Sequence, residues 1–128
     1  MIDPLENYLV YTKANELFDK VMEDTNELLK DLRGKEIAKQ LTRSSSSISA
    51  NIEEGYGRGY SDEFIRYLKI SRGSARETKG WYHRSKHFLD STLIEQRKKE
   101  VDEIISLLVV MINTLESKKI QQTTSDDE

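Results

Sequence analysis

Apolar positions recur along this chain at spacings of three and four, the mark of helices that bury one face. The first series is Leu5, Tyr8, Leu9, Ala14, Leu17, Phe18, Val21, Met22, Leu28 and Leu29. It predicts a helix from about Asp3 to Leu32. Asp3 is its cap, Pro4 takes the first helical position, and Gly34 is its stop. Ile37, Leu41, Ile48 and Ile52 predict a second helix, from about Lys35 to Tyr56. Gly55, Gly57 or Gly59 closes it in the left-handed conformation. Phe64, Leu68, Ser71, Ala75, Thr78, Tyr82 and Ser85 predict a third, from about Ser61 to Phe88, opened by a Ser61 cap and first-turn acids Asp62 and Glu63. Leu93, Val101, Ile104, Leu108, Met111, Ile112 and Leu115 predict a fourth, from about Thr92 to Ser117.

No stretch alternates like a strand, no internal repeat is visible, and the only proline is Pro4. Short breaks between long helices make sequence neighbours antiparallel. The predicted fold class is therefore all-α: one antiparallel up-down-up-down four-helix bundle over residues 1–120. Residues 121–128 are polar, end in three acids and lack an apolar anchor, so a disordered tail is expected there.

The second helix is unusual in its middle. Ser44-Ser45-Ser46-Ser47 and Ser49-Ala50-Asn51 give up helix propensity for small side chains. A second small cluster, Ser71-Arg72-Gly73-Ser74-Ala75, falls inside the third helix. Facing patches of this kind predict one close crossing of two helix backbones. Asn51, Glu54, Gly55, Ser71, Gly73, Ser74 and Glu77 are the residues expected to form it. A carboxylate site among Glu53, Glu54 and Glu77 is the catalytic alternative. A satisfied polar network that fixes helix register explains the same residues without chemistry.

The third helix has an apolar arc wider than the ~100° stripe that one core contact needs. Ile70, Trp81 and Phe88 lie on a strip displaced from Phe64, Leu68, Ala75 and Tyr82, and residues 107–112 of the fourth helix are apolar all round. Either both helices sit centrally in a monomer, or one strip faces a second copy of the chain. The second reading is preferred, because Trp and Tyr are common interface anchors.

Charge changes the picture next. The 128 residues carry a net charge of −3, but unevenly. Residues 1–32 hold eight acids and three bases, whereas residues 59–90 hold seven bases and four acids. Within that basic segment Lys69, Arg72, Arg76, Lys79, His83 and Lys86 recur every three or four residues. One helix face lined with cations can neutralise successive backbone phosphates, with weak sequence selectivity and strong salt dependence. A solvated face is the alternative.

Other chemistry is not supported. The absence of cysteine excludes disulfides and thiolate sites and fits a reducing, cytoplasmic setting. Asp3, Pro4 and Glu6 break any secretory leader pattern. The longest apolar run, Leu107–Ile112, is far short of the roughly twenty residues that span a bilayer. His83 and His87 share a face, with Asp90 nearby, but no obvious third ligand completes a metal site. Gly55-Tyr56-Gly57-Arg58-Gly59 follows a helix rather than a strand, so it is no dinucleotide loop. No cofactor is expected.

One resemblance adds to this. Leu41, Arg43-Ser44-Ser45, Ser47-Ile48, Asn51-Ile52-Glu53-Glu54-Gly55 and Arg58 are followed by Phe64-Ile65-Arg66-Tyr67-Leu68, Ser71-Arg72-Gly73-Ser74 and Glu77. This pattern resembles the bacterial four-helix-bundle family associated with intervening sequences in 23S ribosomal RNA genes. The resemblance implies homo-oligomers, with a homopentameric ring as the assembly, and no enzymatic activity. That family is also similar to the accessory variability proteins of diversity-generating retroelements, which are pentameric bundles that bind a reverse transcriptase and nucleic acid. The function expected is thus a non-enzymatic scaffold. It binds RNA or DNA, or a nucleic-acid enzyme such as a reverse transcriptase, through the basic stripe. A protein-interaction module without a nucleic-acid role is the alternative.

Overall fold

A computed structural model describes residues 3–59 and 61–127. It is all-helical, with four long helices and no strand among the described residues. They are α1 (Leu9–Leu28), α2 (Leu32–Arg58), α3 (Ser61–Arg84) and α4 (Ser91–Asp127), with 3₁₀ turns at Pro4–Asn7 and Ser85–His87.

The first helix departs from expectation at both ends. Asp3 does cap, accepting from the Leu5 amide at 3.0 Å, but it opens a 3₁₀ turn rather than α1. The chain then leaves helical geometry at Tyr8, which has φ −80° and ψ 116°. The break lets the Tyr8 ring meet Tyr56 and Phe64 edge-on, at centroid distances of 5.9 and 6.4 Å. Three interlocked rings of this kind add about 0.5–1.5 kcal/mol per pair beyond their buried area.

Gly34 is not the stop of α1. The helix ends at Leu28, and Asp31 caps α2, accepting from the Arg33 amide at 2.7 Å. Gly34 lies buried in the first turn of α2, where a Cβ would sit 2.0 Å from the Leu28 carbonyl oxygen. The glycine is there for close approach, so that a three-residue connection can fold α2 back against the end of α1. Gly59 is the residue that closes α2, with φ +74° and its amide on Tyr56 O at 3.2 Å.

The core collects Leu17, Val21 and Leu28 of α1, Leu41, Ile48 and Ile52 of α2, Leu68, Ala75 and Tyr82 of α3, and Ile104, Leu108 and Ile112 of α4. Fully burying each large aliphatic contributes about 1.5–3 kcal/mol. The contacts between helices run in opposite sequence order. Ser44 meets Thr78 while Ser47 meets Ser74, and Lys69 meets Glu116 while Lys79 meets Asp102. Val110 is 62% exposed and Ile70 41%, so the run 107–112 and the displaced strip of α3 are only partly covered. The backbone of α4 is helical past the expected boundary at residue 121, through Asp127. The side chains of 121–128 lie outside the described residues.

Candidate nucleic-acid interface

The α2–α3 crossing is close because side chains at its centre are small or absent. A Cβ on Gly55 would lie 2.7 Å from Tyr67 Cβ and 3.1 Å from Phe64 Cδ1. Ser71 Oγ donates across the crossing to Ile48 O at 2.8 Å, and Thr78 Oγ1 donates to Ser44 Oγ at 2.9 Å. Ser47 and Ser74 share a 2.9 Å hydroxyl contact, and Asn51 donates to Ser47 O and Oγ at 2.7 and 2.8 Å. Other serines fold back on their own helix. Ser45 donates to Leu41 O at 2.6 Å, which satisfies a buried hydroxyl without filling the crossing.

Two expected members lie elsewhere. Gly73 is exposed, with nothing within 4 Å of where its Cβ would be. Glu54 is exposed and pairs with Arg58 one turn along α2, at 2.8 Å. The spacing of small residues marks a face, but α3 turns Gly73 away from α2. Glu77 pairs with Arg43 of α2 and accepts from Trp81 Nε1 at 3.1 Å. Glu53 accepts from the Tyr11 hydroxyl of α1 at 3.0 Å. Among the described residues, each of these glutamates is matched to a hydrogen-bonding or ion-pair partner.

The basic stripe divides in two. Lys69 is bridged to Glu116 at 2.9 Å and Lys79 to Asp102 at 2.8 Å, both acids on α4. Arg72, Arg76 and Lys86 make no ion pair among the described residues. The stripe therefore lies on the flank of α3 that faces α4, and part of its charge is already matched. Farther along, Arg76, Lys79, Gly80, His83, Arg84 and Lys98 line an open basin of about 420 Å³. Lys98 comes from α4 and sets its ammonium 3.2 Å from His83 Nδ1. Arg84 stacks over Trp81 with its guanidinium carbon 4.7 Å from the ring centroid. Lys98, then Lys86, then slight desolvation, then Arg84 hold His83 below the ordinary imidazole value, with Glu95 opposing. No group of three or more His, Asp or Glu that could hold a metal occurs among the described residues.

A second polar constellation went unpredicted. Asp24 of α1 accepts from the Tyr82 hydroxyl of α3 at 2.7 Å and from Arg97 of α4 at 2.7 and 3.3 Å. Arg97 also donates to Glu100 at 3.3 Å, which receives Lys20 at 3.0 Å. Burial foremost, then the bond to Asp24, pushes the Tyr82 phenol well above its ordinary value. Desolvation lowers Arg97, but Asp24 outweighs it and the guanidinium is raised. The adjacent cavity is about 50 Å³, too small for a metabolite. The sequence did carry a signal. Asp24 interrupts the buried series 17-21-24-28, and Arg97 interrupts 94-97-101-104. An acid and a base, each in a core position of different helices, are candidates for one another.

These features define an all-helical protein with a basic basin between α3 and α4 and a hydrogen-bonded polar core. The chain belongs to the 23S rRNA-intervening sequence protein family, which matches residues 6–110. It is similar to the crystal structure of a protein of unknown function from the S23 ribosomal protein family of Bacteroides thetaiotaomicron. The two are 26% identical with a TM-score of 0.76, over 81% of this chain and 98% of that one. No curated protein matches the chain. Neither description names an enzymatic activity. No helix among the described residues is long and apolar enough to cross a membrane.

Proposed function

We propose that this protein is a non-enzymatic, cytoplasmic scaffold: an up-down-up-down four-helix bundle that self-associates, as a homopentameric ring, and binds nucleic acid along α3. The observation that carries the reading is the set of cations left over after internal pairing. Arg72, Arg76 and Lys86 have no ion pair among the described residues, and Arg76 opens onto a basin shared with Lys79, His83, Arg84 and Lys98. Free cations on one face attract phosphates by releasing counterions. The exposed Ile70 and Val110 support self-association, which would repeat the basic face around an axis.

Charge reversal tests it. Arg72→Glu with Arg76→Glu is expected to lower affinity for structured RNA severalfold and to flatten the salt dependence by about 0.9 in log–log slope per lost phosphate contact. The mass from light scattering should be unchanged. Wild-type affinity in the double variant would refute the nucleic-acid reading, and a monomer mass for the wild type at micromolar concentration would refute the assembly.

A further inference from the structure

The basin between α3 and α4 differs from the rest of the stripe in being concave and under-neutralised. Two acids approach it. Asp102 is bonded to Lys79, and Glu95 stands 3.6 Å from Lys98. Against them stand Arg76, Lys79, Arg84 and Lys98, with Lys86 three residues beyond His83. Gly80 leaves room for Arg84, since a Cβ there would lie 2.8 Å from its Nη1. His83 is the focus of the field. It faces Lys98 and Glu95 of α4 and Lys86 and Arg84 of its own segment. An ammonium has no lone pair, so at 3.2 Å Nδ1 accepts from Lys98, and Lys98 foremost, then Lys86, holds the imidazole below its ordinary value.

We propose that this basin receives the terminal phosphate of a nucleic-acid strand, bound by Arg76, Arg84 and Lys98, and that His83 takes up a proton from solvent as the phosphate binds. A phosphomonoester carries roughly −1.5 to −2 charges near neutral pH and offers three acceptor oxygens. A backbone diester carries one charge, so the monoester gains more from cations converging from two helices. Its charge also offsets the lysines that keep His83 neutral, which links binding to protonation. The owner of the phosphate rests on the nucleic-acid reading above.

The test uses the full chain with one short RNA in three forms: 5′-phosphate, 3′-phosphate, and hydroxyls at both ends. Inorganic phosphate is the fourth probe. Affinity is read by anisotropy at low ionic strength, and His83 titration by NMR, assigned with His83→Gln. At least one phosphorylated strand should bind about tenfold tighter than the hydroxyl strand, the effect of one added charged hydrogen bond. It should also move the His83 titration upward. Lys98→Met and Arg84→Met should each erase the preference, with helicity unchanged. If all strands bind alike and His83 titrates identically in each, the terminal-phosphate receptor is wrong and the nucleic-acid reading stands. If no strand binds while inorganic phosphate shifts His83, both the strand as owner and the nucleic-acid reading are wrong.

Discussion

Asp24→Ala removes an α1 acceptor that takes hydrogen bonds from both α3 and α4. Asp24 has a side chain only 5% exposed and Arg97 one only 13% exposed, and Tyr82 is fully buried. The variant leaves a guanidinium and a phenol without their 2.7 Å partner. Stranding one member of a buried pair costs about 3–5 kcal/mol. Set against a typical domain stability of about 5–15 kcal/mol, that is a large share. For a chain of this length the melting temperature should fall by about 10–20 °C. Removing both charges together, as Asp24→Leu with Arg97→Met, should recover most of the loss, because apolar replacement of a whole buried pair is often close to neutral. Urea unfolding followed by circular dichroism, at one protein concentration, measures the full cycle. The coupling between the two sites, from Asp24→Leu, Arg97→Met and the double variant, should be about 3 kcal/mol or more. A single-variant loss below about 1 kcal/mol, or two losses that merely add, would refute the view that this network pins the bundle.

Gly55→Leu places a side chain where Tyr67 and Phe64 already stand, and it should cost about 3 kcal/mol or more; a wild-type melting temperature contradicts the close crossing. Gly73→Ala should raise stability by about 0.5–1 kcal/mol, because nothing opposes a Cβ there and glycine is a poor helix former. A loss on thermal melting would mean that Gly73 packs against another copy. At high pH the buried Tyr82 should act as an alkaline trigger. Its folded value is raised, so its contribution is whole below the unfolded value of about 10 and is lost as pH climbs above it, when only the unfolded chain readily releases the proton. Tyr82→Phe should flatten the stability profile above that pH, and an unchanged slope in denaturation titrations counts against the assignment.

The periodic apolar series made the four helices legible, and small residues located the α2–α3 crossing, because both signals are local. What they could not show depends on how one helix is rotated against another. The cationic spacing placed these residues on one face of α3, yet only the packed structure puts Glu116 and Asp102 of α4 opposite Lys69 and Lys79. Lys98 joins the basin from a helix fifteen residues on, and no periodicity within α3 announces it. Gly34 was misread because a glycine that ends a helix and one that admits a neighbouring carbonyl look alike in sequence. Tyr8 broke the first helix for the sake of two rings, Tyr56 and Phe64, that lie far along the chain.

Each helix is held mainly by its neighbours in sequence, while a smaller α1–α4 seam and the Asp24–Tyr82 bond join more distant parts of the chain. Little loop-closure entropy stands in the way of the early pairings. Such a chain should fold on the microsecond-to-millisecond scale of about the fastest natural domains. The Asp24–Arg97 clasp then belongs to the last step, after the transition state. In stopped-flow chevrons its loss should steepen escape from the native state while the refolding arm barely moves. The longevity of a folded copy would then be governed by that single clasp.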